Sequence, residues 1–578
     1  MLVGITWDVF ALSRSGSSFF PTAFHQSRAL HSVPFADRLD LRFKVQGVMV
    51  TRRLNSTLRS RCQAAAFDST ILQNDVSDLS EDVREARGRV VVVGAGPAGT
   101  LAAIYMAKLN YKVDVYEQRA MPDPVNRNLD RSYHLAMSHR GMGAVEKVGV
   151  DMSRFREFPY RGSLLRLQSG AVQEVFHEPI SAKVLVERME LVRHIVDEAA
   201  RLVPPGRLTF HWSHVCKEVN VKDRQAQFTD DSGETVRVDY DLLVGADGVN
   251  SKVRAELQRQ IAGFRSNWFG KMHRIDKFFH RVKPPPGAHL DTHRGDLDIS
   301  ATVLRFYYID SPPPLSVGLF FIHNHADGSY SGGISFTRAD YTDEGSGGSL
   351  RTAEDFEAAM RGLTMYPEEM RAEIAAQFAE RPWYTSGSTL VLSRLTAPRA
   401  VLLGDAAHAV SAAFGQGVNS ALEARAPLPH ATKIVPNQDC KGWGSGFGIR
   451  DCALLGDIVA ARPDDLDSAL ERYERQRKPD AHALGTMDHQ AEAFAGFRGK
   501  WNLSYWIFQT HLIVNGWLHR MWPQRFGDPN LVPMMTIQCS SYSAIYNRIK
   551  RPFFIMMISI LVAALSIATK LIRVLAAK

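Results

Sequence analysis

The first strong pattern along the chain is RVVVV from Arg89, four β-branched residues in a row ahead of a glycine-rich turn. A short, wholly apolar run of this kind predicts a central parallel strand buried on both faces. Small and apolar residues from Pro97 to Leu109 predict a helix, and Val113 to Tyr116 a second strand. Two further apolar runs, DLLVG from Asp241 and VLL from Val401, lead into Asp247-Gly248 and Gly404-Asp405. Between residues 263 and 398 the pattern changes to short alternating strands, LRFYYI, VGLFFI and GGISF, separated by Gly and Pro turns. That pattern predicts an antiparallel sheet forming the far wall of a substrate cavity, with residues 354–379 as helices across it. Residues 501–522 are aromatic-rich and helical in pattern, suited either to a bilayer surface or to plain core.

Composition narrows the class. The chain has 578 residues, 45% hydrophobic and 22% charged, which suits a globular protein of two to four structural units. The net charge of +8 is scattered and shows no basic stripe interleaved with aromatics, so no nucleic-acid partner is expected. Five cysteines (Cys62, Cys216, Cys440, Cys452, Cys539) are widely spaced without a CxxC pair, which argues against a disulfide framework or a metal site.

The two ends read as addresses. Up to Ala66 the only acidic residues are Asp8, Asp37 and Asp40, and residues 49–67 contain none. An Arg- and Ser-rich, acid-poor leader predicts organelle import, to a plastid slightly more than to a mitochondrion. Near the other end, residues 553–569 form a 17-residue run without a charge. Arg548, Lys550 and Arg551 precede it, and Lys570 and Arg573 follow. A spanning helix needs about 17–25 residues, so this run predicts a transmembrane tail anchor in an organelle membrane.

Gly94, Gly96 and Gly99 form G-x-G-x-x-G between the first strand and the helix. The first permits the sharp turn, the second lets a backbone approach a pyrophosphate, and the third lets helix pack against strand. The helix then turns its N-terminal amides and positive dipole end toward the phosphates. Glu117, 23 residues after Gly94, ends the second strand where a carboxylate accepts from ribose hydroxyls. It disfavours a 2′-phosphate, so NADP is not expected at this site. NAD and FAD both remain open on this unit alone.

DLLVGADGVNSKVR and VLLGDAAHAVSAAFGQGVNSALE match the pattern of the aromatic-hydroxylase flavoproteins, the para-hydroxybenzoate hydroxylase class. That resemblance implies FAD, with Asp405 on the ribityl chain and the turn after it beside the isoalloxazine. Asp247, Gly404 and Gly417 complete the implied set. Amides near Val418 and Asn419 are suited to stabilise negative charge on reduced flavin. Taken as ordinary residues, Asp247 and Asp405 are strand-end caps and His408 is a packed histidine.

From Arg89 onward the chain resembles kynurenine 3-monooxygenase. The resemblance rests on the glycines, Tyr116-Glu117, RSYHLAMSHRG (residues 131–141), GDAAHAV, GQGVN and WIFQ (residues 506–509). It implies FAD contacts from Ala136 and Arg188, NAD(P)H as a transient co-substrate, O2, and oxygen transfer to an electron-rich ring of a small-molecule substrate. It departs at the substrate pocket, where Ser163, His177, Ala493 and Val532 stand at the positions that hold kynurenine's amino-acid end. Arg161 is two residues away from the first of these. Exchanging an Arg clamp for Ser removes a charge-assisted pair, so a different aromatic or lipophilic substrate is expected. Residues 424–450, with three prolines, interrupt a helix that runs on unbroken in the family. They are either a surface loop or translated intron sequence, the second being favoured.

The expected fold class is α/β: a Rossmann-like FAD-binding domain with a mixed sheet, an antiparallel-sheet substrate domain and a C-terminal transmembrane helix. The expected divisions are a leader and linker (1–88), FAD domain (89–262 and 399–500), substrate domain (263–398), helical region (501–552) and anchor (553–572). Two other readings are an FAD-dependent reductase or epoxidase of isoprenoids, and a membrane-bound flavoprotein without turnover.

Overall fold

The computed structural model describes residues 85–122, 134–166, 172–176, 183–269, 274–288, 290, 301–309, 315–338, 350–386, 388–410, 451–494, 503–522, 541–550, 562 and 565–569. A six-stranded sheet runs in the order Thr396–Ala397, Ala400–Leu402, Leu242–Gly245, Arg89–Val93, Lys112–Tyr116, Leu208–His211. Its pairs are parallel except the edge pair of Thr396–Ala397 with Ala400–Leu402, so the sheet is mixed, as expected. Val90, Val91 and Val92 are wholly buried. Each such side chain contributes on the order of 1.5–3 kcal/mol through burial.

The Pro97–Lys108 helix is buried all round from Ala98 to Ala107. It has no amphipathic stripe because layers cover both sides: the strands on one, and the Arg188–Leu202 and Asp451–Ala461 helices on the other. Its Ala- and Gly-rich composition allows that close approach. A Cβ on Gly456 would stand 2.6 Å from the Tyr105 ring.

A seven-stranded sheet makes the second layer system, in the order Tyr384–Ser386, Arg274–Val282, Tyr330–Arg338, Leu315–Asn324, Thr302–Ile309, Tyr160–Arg166, Val172–Phe176. The expected strands LRFYYI, VGLFFI and GGISF are all present. Two members come from ahead of residue 263, however, and Tyr160–Arg166 joins Thr302–Ile309 in parallel, so this sheet is not purely antiparallel. Sequence periodicity cannot assign a short apolar run to one of two sheets, because the pairing is long-range. The Ala353–Ala359 and Glu368–Glu380 helices cover one face, where Phe356, Ile374 and Phe378 pack on Ile275, Phe279, Phe320 and Phe336. By the alternation of the pleat, Phe278, Phe306, Leu319 and Phe321 point to the other, inner face.

An antiparallel ribbon of His134–Ser138 with Lys183–Glu187 lies in the chain between these systems. Three short strands, Val215–Asn220, Gln225–Thr229 and Thr235–Asp239, form a separate meander. Among the described residues no helix is long and apolar enough to cross a membrane. Of the expected anchor only 562 and 565–569 are described; the interruption 424–450 lies outside the described residues.

Candidate cofactor site

Parallel register brings three strand ends level. Val93 pairs with Gly245, and Gly245 with Leu402, so the segments that follow emerge side by side at one sheet edge. These segments carry Gly94, Asp247 and Gly404-Asp405. Ligands in open α/β sheets bind outside the carboxyl ends of the strands, and this is that edge.

The three glycines have separate reasons to be glycine. Gly94 has φ +98°, and a Cβ there would stand 2.5 Å from the Ala246 carbonyl oxygen. A Cβ on Gly99 would overlap the Gly94 carbonyl oxygen, so the helix starts flush against the turn. Gly96 caps the helix at an ordinary φ of −69°, and among the described residues the only atom near a Cβ built on it is Arg188 Nη2 at 3.5 Å. The helix start thus has an open front facing a guanidinium, a cradle that suits a pyrophosphate.

Glu117 is buried at the end of its strand. Ala95 N–H donates to its Oε2 at 2.9 Å and Arg119 N–H to its Oε1 at 3.1 Å. A carboxylate has about four lone-pair positions, so acceptor capacity remains for hydroxyl donors. Arg188 is the first residue of its helix, at the junction with the ribbon strand, and not on the exposed side of an amphipathic helix. Ala136 sits on the partner strand opposite Leu185.

Asp405 lies within electrostatic range of Arg188, which unites the two halves of the site. Burial raises the Asp405 carboxyl above the usual range, while Arg188 and then His408 oppose the rise. Asp247 is raised by burial too, but its carboxylate accepts from the Ser251 hydroxyl at 2.5 Å and the Val253 amide at 3.1 Å. Asp247 therefore caps the Lys252–Gln260 helix. Arg254 from that helix donates to the carbonyls of Ala406 and Val249, tying the two Asp-bearing turns together.

Three buried residues lie behind Gly404, and two of them, Asp451 and Arg477, were not among the sequence candidates. Gly404 has φ +58°, and its N–H donates to Asp451 Oδ2 at 2.7 Å. The same oxygen lies 2.6 Å from His408 Nε2, and Arg477 Nε donates to Asp451 Oδ1. Burial pushes the Asp451 carboxyl up, but Arg477 and His408 overcome it and hold the carboxyl at about 2. His408 is thus a packed histidine, as the plain reading had it. Asp451 could have been suspected from its resumption of the helix after residue 450, but its partner Arg477 lies 26 residues on and carries no local signal.

On the substrate side, Ser163 is wholly buried and its hydroxyl lies 2.7 Å from Tyr160 OH. Arg161 falls where the register with Thr302–Ile309 shifts, between Tyr160 and Gly162, and a bulge there re-aims its side chain. The inner face beside them is apolar: Phe278 lies 6.1 Å from Phe321 and 6.2 Å from Tyr384, and Phe306 6.2 Å from Phe321. His177, Gly417, Val418 and Asn419 lie outside the described residues.

Comparison with known proteins agrees with this geometry. Residues 87–283 match the FAD binding domain family model. Kynurenine 3-monooxygenase of Salinispora arenicola is 29% identical over 416 residues, covering 69% of this chain and 78% of that protein. The Phaeosphaeria nodorum enzyme of the same name is 25% identical over 416 residues, covering 69% and 76%. The Drosophila melanogaster one is 26% identical over 419 residues, covering 71% and 78%. In fold, the chain is similar to a crystal structure of a mutant 2-methyl-3-hydroxypyridine-5-carboxylic acid oxygenase, with a TM-score of 0.50 and 19% identity over 71% of this chain and 92% of that one. The glycine cradle, the Glu117 strand end and these relatives lead to one conclusion: the chain carries an FAD binding domain and is similar over most of its length to kynurenine 3-monooxygenases.

Proposed function

We propose that this protein hydroxylates an aromatic or lipophilic small molecule other than kynurenine, with NAD(P)H and O2 as co-substrates. The reading rests on the Gly96–Arg188–Asp405 edge and, in the second sheet, an inner face that carries Phe278, Phe306, Phe321 and Tyr384. FAD, when bound, supplies the electron and oxygen chemistry.

The protein's own residues bind, orient and exclude water. The helix start at Gly96 and the Arg188 guanidinium hold the pyrophosphate, Glu117 the adenosine ribose, and Asp405 the ribityl side, with Ala136 packing alongside. Asp451 fixes the Gly404 amide and so the direction in which Asp405 presents its carboxylate. The apolar inner face receives the substrate ring and keeps water from the reacting centre. Ser163, committed to Tyr160, offers no charge to an amino-acid carboxylate, which argues against kynurenine.

The cation-flanked apolar run at 553–569 and the exposed Ile513, Trp517, Met521 and Trp522 support attachment to an organelle membrane, and the acid-poor leader supports import. The test is a panel of aromatic ligands, kynurenine included, scored for accelerated NAD(P)H oxidation with O2 uptake and a hydroxylated product. Double-bond reduction without O2 uptake would place the protein among reductases instead. Stimulation by kynurenine with its 3-hydroxy product would refute the substrate assignment.

A further inference from the structure

No cysteine pair in the chain offers metal ligands. The fold assembles another set. His323 ends the Leu315–Asn324 strand and His325 follows two residues later, a spacing that puts both side chains on one face. His134, at the start of the ribbon strand, closes over them from a part of the chain almost 200 residues away. Ring centroids are 4.0 Å apart for His134 and His323, 5.0 Å for His323 and His325, and 5.5 Å for His134 and His325. One ring nitrogen from each lies within 4.8 Å of the others.

Two of these rings are poorly explained as ordinary core, whereas His325 Nε2 lies 2.8 Å from the Ser331 hydroxyl. His323 is 2% exposed, and among the described residues neither of its ring nitrogens has a hydrogen-bond partner. The Nε2 of His134, also buried, has none either. A neutral imidazole carries one N–H and one lone pair, and burial normally demands partners for both.

We propose that His134, His323 and His325 form a binding site for a zinc-class divalent transition-metal ion. Three imidazoles and an open fourth position are a nitrogen ligand set for such an ion. Tetrahedral coordination at about 2.0–2.1 Å from the metal requires nitrogens roughly 3.4 Å apart, which small ring rotations from the present spacing provide. His134 pairs in register with Glu187, next to Arg188, whereas His323 belongs to the seven-stranded sheet. The ion therefore clips the ribbon that carries Ala136 and Arg188 to the aromatic inner face. Arg305 and Arg281, the latter paired with Asp327 at 3.4 Å, lie within electrostatic range of His323.

The experiment uses tag-free full-length protein, purified without chelator, dialysed against zinc and measured by mass spectrometry of metals. Apoprotein is also titrated with Co2+ and read for ligand-field absorption at wavelengths beyond the flavin bands. The expected result is about one zinc per chain and a tetrahedral Co2+ spectrum. His323→Phe and His325→Gln should each lower bound metal about tenfold or more while far-UV circular dichroism stays that of the folded chain. His323→Phe removes the ligand without leaving a buried polar atom, and His325→Gln serves if that variant fails to fold. Wild-type protein that holds less than about a tenth of an equivalent and gives no Co2+ band overturns the proposal. So do folded variants that bind as much metal as the wild type.

Discussion

Gly96 and Gly99 stand three residues apart in one motif, yet the structure predicts opposite consequences for the same change. At Gly99 an added methyl overlaps the Gly94 carbonyl oxygen and comes to 3.2 Å from the Ala246 Cβ. Relief requires the helix start to lift off the turn, an overpacking cost of about 1–3 kcal/mol. Alanine's better helix propensity returns up to about 1 kcal/mol of that. At Gly96 the nearest atom to the new methyl is Arg188 Nη2 at 3.5 Å, an ordinary contact, and φ is already −69°. Folding should change there by less than about 1 kcal/mol, the difference between Gly and Ala as caps. The methyl would instead fill the space through which a pyrophosphate reaches the helix amides, and a loss of about 1.4 kcal/mol is already tenfold in affinity. Thermal melts of FAD-free protein and flavin-fluorescence titrations separate the two terms. Gly99→Ala should lower the apoprotein melting temperature by several degrees and also weaken FAD, whereas Gly96→Ala should leave the melt almost unchanged and weaken FAD tenfold or more. A Gly96→Ala protein that melts early but binds FAD normally would refute the reasoning.

Removing the guanidinium with Arg188→Met should weaken FAD by about tenfold or more, checked by the same titration. Asp451→Asn leaves Arg477 buried without its countercharge and should cost about 3–5 kcal/mol in denaturant melts, with loss of retained FAD. The pH dependence follows with a definite sign. Asp451 is depressed from 3.8 to about 2, so its stabilisation is complete above 3.8 and lost as pH falls through about 2. That is about 2 kcal/mol, visible as the difference between wild-type and Asp451→Asn acid titrations. Ser163→Ala should cost about 1 kcal/mol of stability through the Tyr160 contact, yet leave unchanged the extent to which the best aromatic ligand stimulates NAD(P)H oxidation.

The cofactor edge was largely legible because its signals are local. Four valines, three glycines and Glu117 fall within 29 residues, and each is read from its immediate neighbours. Asp247 and Asp405 could be placed at strand ends for the same reason, but not told apart. The fold shows Asp247 accepting from the Ser251 hydroxyl and the Val253 amide at a helix start, while Asp405 lies in the field of Arg188. What escaped is long-range. Nothing near Tyr160 tells that its strand leaves the first layer system to join a strand at Thr302. The Asp451–His408–Arg477 group and the His134–His323–His325 group assemble from segments that share no spacing. Their chemistry exists only once the sheets have paired.

Every role assigned to these residues requires FAD to lie along the edge that joins Gly96 and Glu117 to Asp405. Its most direct test is the visible spectrum of the purified full-length protein, with mass identification of whatever cofactor denaturation releases. A yellow protein that releases about one FAD per chain is the predicted result. A colourless chain that stays folded and takes up no added FAD would contradict it.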